Sequence, residues 1–242
     1  MSLDPMKPSF PPTLFLPESF DGVFFVTIRL RDALPDSFCQ NLGLQYYTQQ
    51  IKTAHQADSK AQLHLARKRL FARFDQTLDL EKYGLPHLRE PELTNILTNE
   101  ILRHDGVTYN LFAWSILPNH AHLLFQLKSP ESEQYLPDDL ECLQYQPLRD
   151  IVTGIQTATD LPLKKVAKRL DSHLNPSIFQ KHSPKGGVQL GGKFWHEHSF
   201  DFQIQDAAEF EKVICFILQN PVNAELVEDW KDWPLSFLKS GS

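Results

Sequence analysis

Hydrophobic positions follow two rhythms along this chain, one of period two and one of period three to four. The run Phe24-Phe25-Val26-Thr27-Ile28-Arg29-Leu30 has the aromatic and β-branched content of a strand. Ahead of it, Pro5, Pro8, Pro11, Pro12 and Pro17 predict an irregular arm over residues 1–19. From Leu44 to Tyr83 there is neither glycine nor proline, and Leu63, Ala66, Leu70 and Phe74 recur at helical spacing among many polar residues. That stretch predicts one long helix or two, projecting from the main body. A clearer helix runs from Pro91, suited to a first helical position, to His104, with Leu93, Ile96, Leu97, Ile101 and Leu102 on one face.

Two strands follow, Thr108–Leu117 and His120–Leu127, joined by the turn dipeptide Pro118-Asn119. Residues 128–146 read as a loop. Leu148–Ala158 and Leu163–Leu170 read as helix, interrupted at Pro162, and residues 171–193 are a Gly-, Pro-, Ser- and Lys-rich loop. Ser199–Ile204 alternates like a strand. A last helix begins at Asp206, whose carboxylate can cap it while Glu209 answers three residues later. With the helical insert at about 44–83 set aside, the order is β-α-β-β-α-β-α. This predicts an α+β fold: a ferredoxin-like antiparallel sheet with helices on one face, in one domain over 20–235, with a tail at 236–242.

Composition narrows the classes. With 41% apolar and 22% charged residues the 242-residue chain is an ordinary globular one, and no window approaches the ~20 apolar residues of a membrane helix. No signal-peptide pattern opens it, and Cys39, Cys142 and Cys215 are odd in number and widely spaced, so a cytoplasmic protein with free thiols is expected. A net charge of −6 argues against wholesale coating of nucleic acid. Locally, however, residues 161–193 hold Lys164, Lys165, Lys168, Arg169, Lys181, Lys185 and Lys193 against Asp171 alone, which suits either a solvated face or a phosphate-binding one.

The sharpest candidate chemistry lies in Leu117-Pro118-Asn119-His120-Ala121-His122. Residues i and i+2 of a strand share a face, so His120 and His122 can aim two imidazoles at one ion, or simply pack. On the last helix, Phe210, Val213, Ile214, Ile217 and Leu218 form the apolar stripe. Phe216 and Asn220 fall on its flank, about 40° apart and one turn from each other. Asn220 is thus a candidate third ligand, with Phe216 beside it.

Taken together, these stretches resemble the single-tyrosine HUH transposases, in the branch of REP-associated tyrosine transposases. The resemblance is carried by Phe25–Leu30, by Tyr109–Leu127 (YNLFAWSILPNHAHLLFQL), by Phe194–Phe200 (FWHEHSF), by Glu209–Val222 with its NPV ending, and by Asp232-Trp233-Pro234. It implies that His120, His122 and Asn220 hold a divalent ion, Mg²⁺ or Mn²⁺, which polarises a scissile phosphate for attack by a tyrosine. It also implies binding of single-stranded or hairpin DNA, with Lys164, Lys165, Lys168, Arg169 and Lys193 on phosphates and Trp195 stacking on bases, no membrane partner, and a homodimer as one expected assembly.

The chain departs from that family at telling places. The nucleophile's position is Phe216, and a second common tyrosine position is Phe200. No tyrosine follows Tyr145, and Tyr109, Tyr135 and Tyr145 are poorly sited to substitute. Gln156 stands where lysine is frequent, and Glu225 where a glycine usually follows the helix. The expectation is therefore DNA binding without tyrosine-dependent cleavage. A domesticated non-catalytic DNA-binding regulator and a metal-dependent nuclease using water are the alternatives.

Overall fold

The computed structural model describes residues 15–128, 146–171 and 192–240. Most of the expected N-terminal arm and both expected long loops lie outside these residues, as do Tyr135, Tyr145, Cys142, Lys181 and Lys185. The strands are β1 (Val23–Arg29), β2 (Tyr109–Ile116), β3 (His120–Leu127), β4 (Phe200–Gln203) and β5 (Ser236–Leu238). They form one five-stranded sheet in the order β4-β1-β3-β2-β5, with every pairing antiparallel. The helices are α1 (Asp36–Thr53), α2 (Ser59–Asp79), α3 (Pro91–His104), α4 (Gln146–Asp171) and α5 (Ala207–Asn223). The protein is α+β, and the strands β4-β1-β3-β2 have the split βαβ arrangement, with β3 inserted between β1 and β2.

One face of the sheet is apolar across its three central strands. Phe24, Val26 and Ile28 of β1, Leu111 of β2, and Ala121, Leu123 and Phe125 of β3 are all buried there. The crossover helices α3 and α4, which pack on each other, cover them. Leu93, Leu97 and Ile101 of α3 and Leu148, Val152, Ile155 and Leu163 of α4 join the same core. Tyr109 stacks on Phe125 with ring centroids 4.7 Å apart and donates its hydroxyl to the Ile101 carbonyl at 2.6 Å. Burial, with Asp105 and Glu100 nearby, pushes its phenol above the ordinary range. It pairs with Leu127, at the end of β3 remote from His120, so it stays far from the imidazole pair.

The opposite face carries Phe25 and Thr27 of β1, Ser115 of β2, His122 and Leu124 of β3, and Phe202 of β4, aligned by register. It is covered as well, by α5 and by the second half of α2. The glycine- and proline-free stretch thus resolves into two helices that pack on each other. The first begins before Gly43 and is largely exposed, with only Leu42 and Thr53 buried. The second buries Phe71, Phe74, Asp75 and Leu78, the i, i+3, i+4, i+7 spacing of a single stripe. The exit from α2 is fixed by Gly84, whose φ is +68° and whose missing Cβ would stand 2.7 Å from the Asp32 carbonyl oxygen.

Three local expectations change. Pro162 does not divide α4, which runs unbroken from Gln146 to Asp171. Residues 236–238, expected to be tail, form the edge strand β5 on β2, where Ser236 donates to the Ser115 hydroxyl at 3.1 Å. Three residues are too few to show alternation, so pairing alone reveals them. At the start of α5, Asp206 caps the Glu209 amide at 2.8 Å as expected, but Glu209 reaches back to the Gln205 amide instead of that of Asp206.

Candidate metal centre and the nucleophile position

His120 and His122 open β3 immediately after the Pro118-Asn119 turn, and both side chains are fully buried. Each ring is held from behind. Asn119 donates its amide N–H to the Leu78 carbonyl at 3.0 Å, which leaves its Oδ1 to accept from His120 Nδ1 at 2.6 Å. Neutral His120 therefore carries its proton on Nδ1 and presents an Nε2 lone pair. Thr27 Oγ1 lies 2.8 Å from His122 Nδ1 on the neighbouring strand. Both Nε2 atoms then face the same point, 3.1 Å apart. Burial, reinforced by His122, holds the pKa of His120 well below the ordinary histidine value, so it stays neutral.

The carboxylates facing this pair come from α2. Asp75 Oδ1 is 3.2 Å from His122 Nε2, and Asp79, one turn later, has Oδ1 4.0 Å from His120 Nε2. From α5, Asn220 donates Nδ2 to Asp75 Oδ2 at 3.3 Å. Its amide is also close enough to act on the His120 ring. Asp75 Oδ1, Asp79 Oδ1 and Asn220 Oδ1 are all buried without a hydrogen-bond donor. Burial first, then the charge of Asp75, raises the Asp79 carboxyl to about 8, against a smaller opposing pull from the Asn220 amide.

Buried polar atoms are nearly always paired, and three orphaned oxygens beside two converging imidazoles form an unusual concentration. A cation explains them together. A shell with bonds of about 2.0–2.2 Å spaces its ligand atoms roughly 3 to 3.5 Å apart, close to the separations between His120, His122 and Asp75. Those three residues offer ligand atoms that all lie within 4.8 Å of one another. The residues present fit a divalent metal, with two imidazole nitrogens and carboxylate and amide oxygens as donors.

Phe216 lies against this centre. Its ring is 5.2 Å from that of His122 and 5.4 Å from that of Phe71 on α2, and it meets Phe25 edge-on at 5.8 Å. Phe200 stacks obliquely on Phe71 and Phe74 at 5.1 and 5.3 Å. Both positions where the resemblance calls for a tyrosine thus belong to one aromatic cluster beneath α2. Three polar contacts hold the first half of that helix. Glu209 accepts from His64 and Lys68, each at 2.7 Å, and Arg67 reaches Asp201 at 3.0 Å.

The structure therefore brings His120, His122, Asn220 and Phe216 together, and leaves the remaining predicted residues elsewhere. Lys165, Lys168, Arg169 and Lys193 are exposed on and beside α4. Lys164 pairs with Asp160 at 2.7 Å, and Arg169 pairs with Glu92. Trp195 is a correction: it is 2% exposed and donates its indole N–H to Thr159 Oγ1 at 2.8 Å, so it is a core residue with no face for a base. Gln156 is likewise internal, donating to the His196 carbonyl at 2.9 Å. Asp75 and Asp79 were missed in the sequence, although one signal was there. An aspartate occupies a core position of the stripe Phe71, Phe74, Asp75, Leu78, where a carboxylate needs a partner to stay.

No protein-family model matches this chain, and no curated protein matches it either. Among solved structures, it is similar to a REP-associated tyrosine transposase bound to a REP hairpin, at 16% identity and a TM-score of 0.39, over 98% of this chain and 82% of the other. That likeness is too loose to transfer residue roles, which rest here on the chain's own geometry. Among the described residues no helix is long and apolar enough to cross a membrane.

Proposed function

We propose that this protein binds single-stranded or hairpin DNA through a transposase-type domain that has lost tyrosine-dependent strand cleavage. The observation that carries the reading is the convergence of His120, His122 and Asn220 with Phe216, four residues singled out by motif and helical phase, drawn from β3 and α5. His120 and His122, with Asp75 and Asn220, would hold a divalent ion such as Mn²⁺ or Mg²⁺. In an active relative that ion supplies Lewis-acid stabilisation at a phosphate. Here the ring at 216 has no oxygen to attack with, and it packs against Phe25, Phe71 and His122. A metal-activated water nuclease is disfavoured because the two imidazoles are wholly buried.

Lys165, Lys168 and Lys193, exposed near one end of α4, are the side chains best suited to contact phosphates. Labelled hairpin DNA incubated with the protein, with and without Mn²⁺, tests the reading. Binding that weakens with salt, no covalent adduct and no cut product are expected. Alanine at both Lys165 and Lys168 should lower affinity and flatten the salt slope by about one per lysine removed. A protein–DNA adduct stable to denaturant, or the absence of any DNA binding, would sink it.

A further inference from the structure

The helical insert supplies a carboxylate to a centre whose other donors lie on the sheet and on α5. We propose that a divalent transition-metal ion, bound by His120, His122 and Asp75, fastens α2 onto the sheet, so that the centre holds the insert closed over Phe216 instead of receiving a phosphate. This rests on the metal reading given above and extends it to a structural role.

Three observations carry it. The ligand atoms come from two parts of the chain that no strand pairing joins: β3 within the sheet, and α2 within an insert between β1 and β2. Asp75 lies in the seam of α2, flanked by Phe71, Phe74 and Leu78, and is 5% exposed. A carboxylate there has lost its hydration, and its Oδ1 has no protein donor in return. Finally, the centre is enclosed. His120, His122 and Asn220 are fully buried, and the orphaned Asn220 Oδ1 can supply the fourth donor of a closed, four-ligand structural site. Two imidazoles with oxygen donors suit Zn²⁺ or Mn²⁺ better than Mg²⁺, which prefers an all-oxygen shell with several waters.

Without the ion, two carboxyl groups stand one turn apart on α2 with orphaned oxygens, and the two Nε2 atoms lie 3.1 Å apart. With it, the same groups become mutual ligands and neighbours. The insert should therefore be anchored at its far half in the metal-bound protein and loosened there in the stripped protein. The contacts of Glu209 with His64 and Lys68, and of Arg67 with Asp201, should keep the earlier half in place in both states.

The test uses the full chain, stripped with chelator and then titrated with ZnCl₂ or MnCl₂ alone. Metal binding is read by calorimetry, stability by thermal melting, and anchoring by hydrogen exchange of residues 59–79. Expected are binding near one ion per chain, a rise in Tm, and slowed exchange over the second half of α2 relative to α3. In Asp75→Asn, affinity should fall at least about tenfold and the exchange protection should vanish. That variant should still fold, because it replaces a buried carboxylate whose Oδ1 lacks a donor with a neutral side chain of the same shape, so its metal-free Tm should equal or exceed that of the parent. If the parent binds metal but α2 exchanges alike with and without it, or Asp75→Asn keeps the full response, the fastening role is overturned while the imidazole centre survives. If the parent binds neither ion, the metal reading falls too. DNA binding measured in EDTA judges the remaining reading separately.

Discussion

The two faces of the sheet are both buried and are built in opposite ways. Beneath α3 and α4 the contacts are mostly apolar: Tyr109 is satisfied by Ile101 and Trp195 by Thr159, and the indole N–H of Trp114 is a single buried donor left without an acceptor, with no other orphan converging on it. Beneath α2 and α5 the register sets Thr27 and His122 beside phenylalanines, and three carboxylate and amide oxygens go without donors. Apolar burial stabilises wherever it occurs, whereas a buried unpaired oxygen costs about 1–3 kcal/mol. The first face can be explained by folding alone. The second carries groups that folding would discard, and their convergence on one point is what marks it as a site.

The largest effect should come from the apolar face. Leu97→Ala opens a cavity at a fully buried position of α3 and should cost about 3 kcal/mol in urea denaturation. Metal should leave that loss unchanged, since no ligand lies on this side. If the loss instead depends on metal, the two faces are not independent.

A smaller, pH-dependent effect should come from Glu209, which ties α5 to α2. Burial would raise its carboxyl, but hydrogen bonds from His64, Lys68 and the Gln205 amide outweigh burial and hold it at about 2. Its folded value lies below the unfolded one, so its contribution is complete above about pH 5 and is lost as pH falls toward 2. Relative to Glu209→Gln, the parent should lose roughly 2 kcal/mol of stability between pH 6 and pH 3. Parallel pH profiles of the two proteins would show that the α2–α5 clamp contributes nothing.

The smallest effect lies at the end of α5, outside both centres. Glu225 has φ +57°, a left-handed conformation, and follows the helix where the Leu226 amide bonds the Pro221 carbonyl at 2.9 Å. Glu225→Gly should stabilise by about 1 kcal/mol through relief of Cβ strain, with DNA and metal binding unaltered. The departure from glycine noted in the sequence is thus a local cost and no part of the chemistry.

The strands β1 to β4 and the helices α3 and α5 were legible because each has a sustained period and a recognisable boundary, such as Pro91, the Pro118-Asn119 turn and the Asp206 cap. Asn220 and Phe216 could be placed on one flank of α5 from helical phase alone. What escaped were features fixed only by partners. β5 is too short to carry a pattern, Trp195 gives the same signal whether it packs or stacks, and Gly43 hid the true start of α1.

The sequence by itself determined the α+β order, the imidazole pair on one strand face, and the lack of a hydroxyl at residues 200 and 216. Those follow from local periodicity and from the chemistry of single side chains. Only the tertiary structure decided that α2 lies over the pair and brings Asp75 and Asp79 to it. That contact joins residues about 45 positions apart through a helix of weak apolar pattern, and its reason is mutual: the carboxylates have no polar partners without the imidazole pair, and the pair has no cover without the helix.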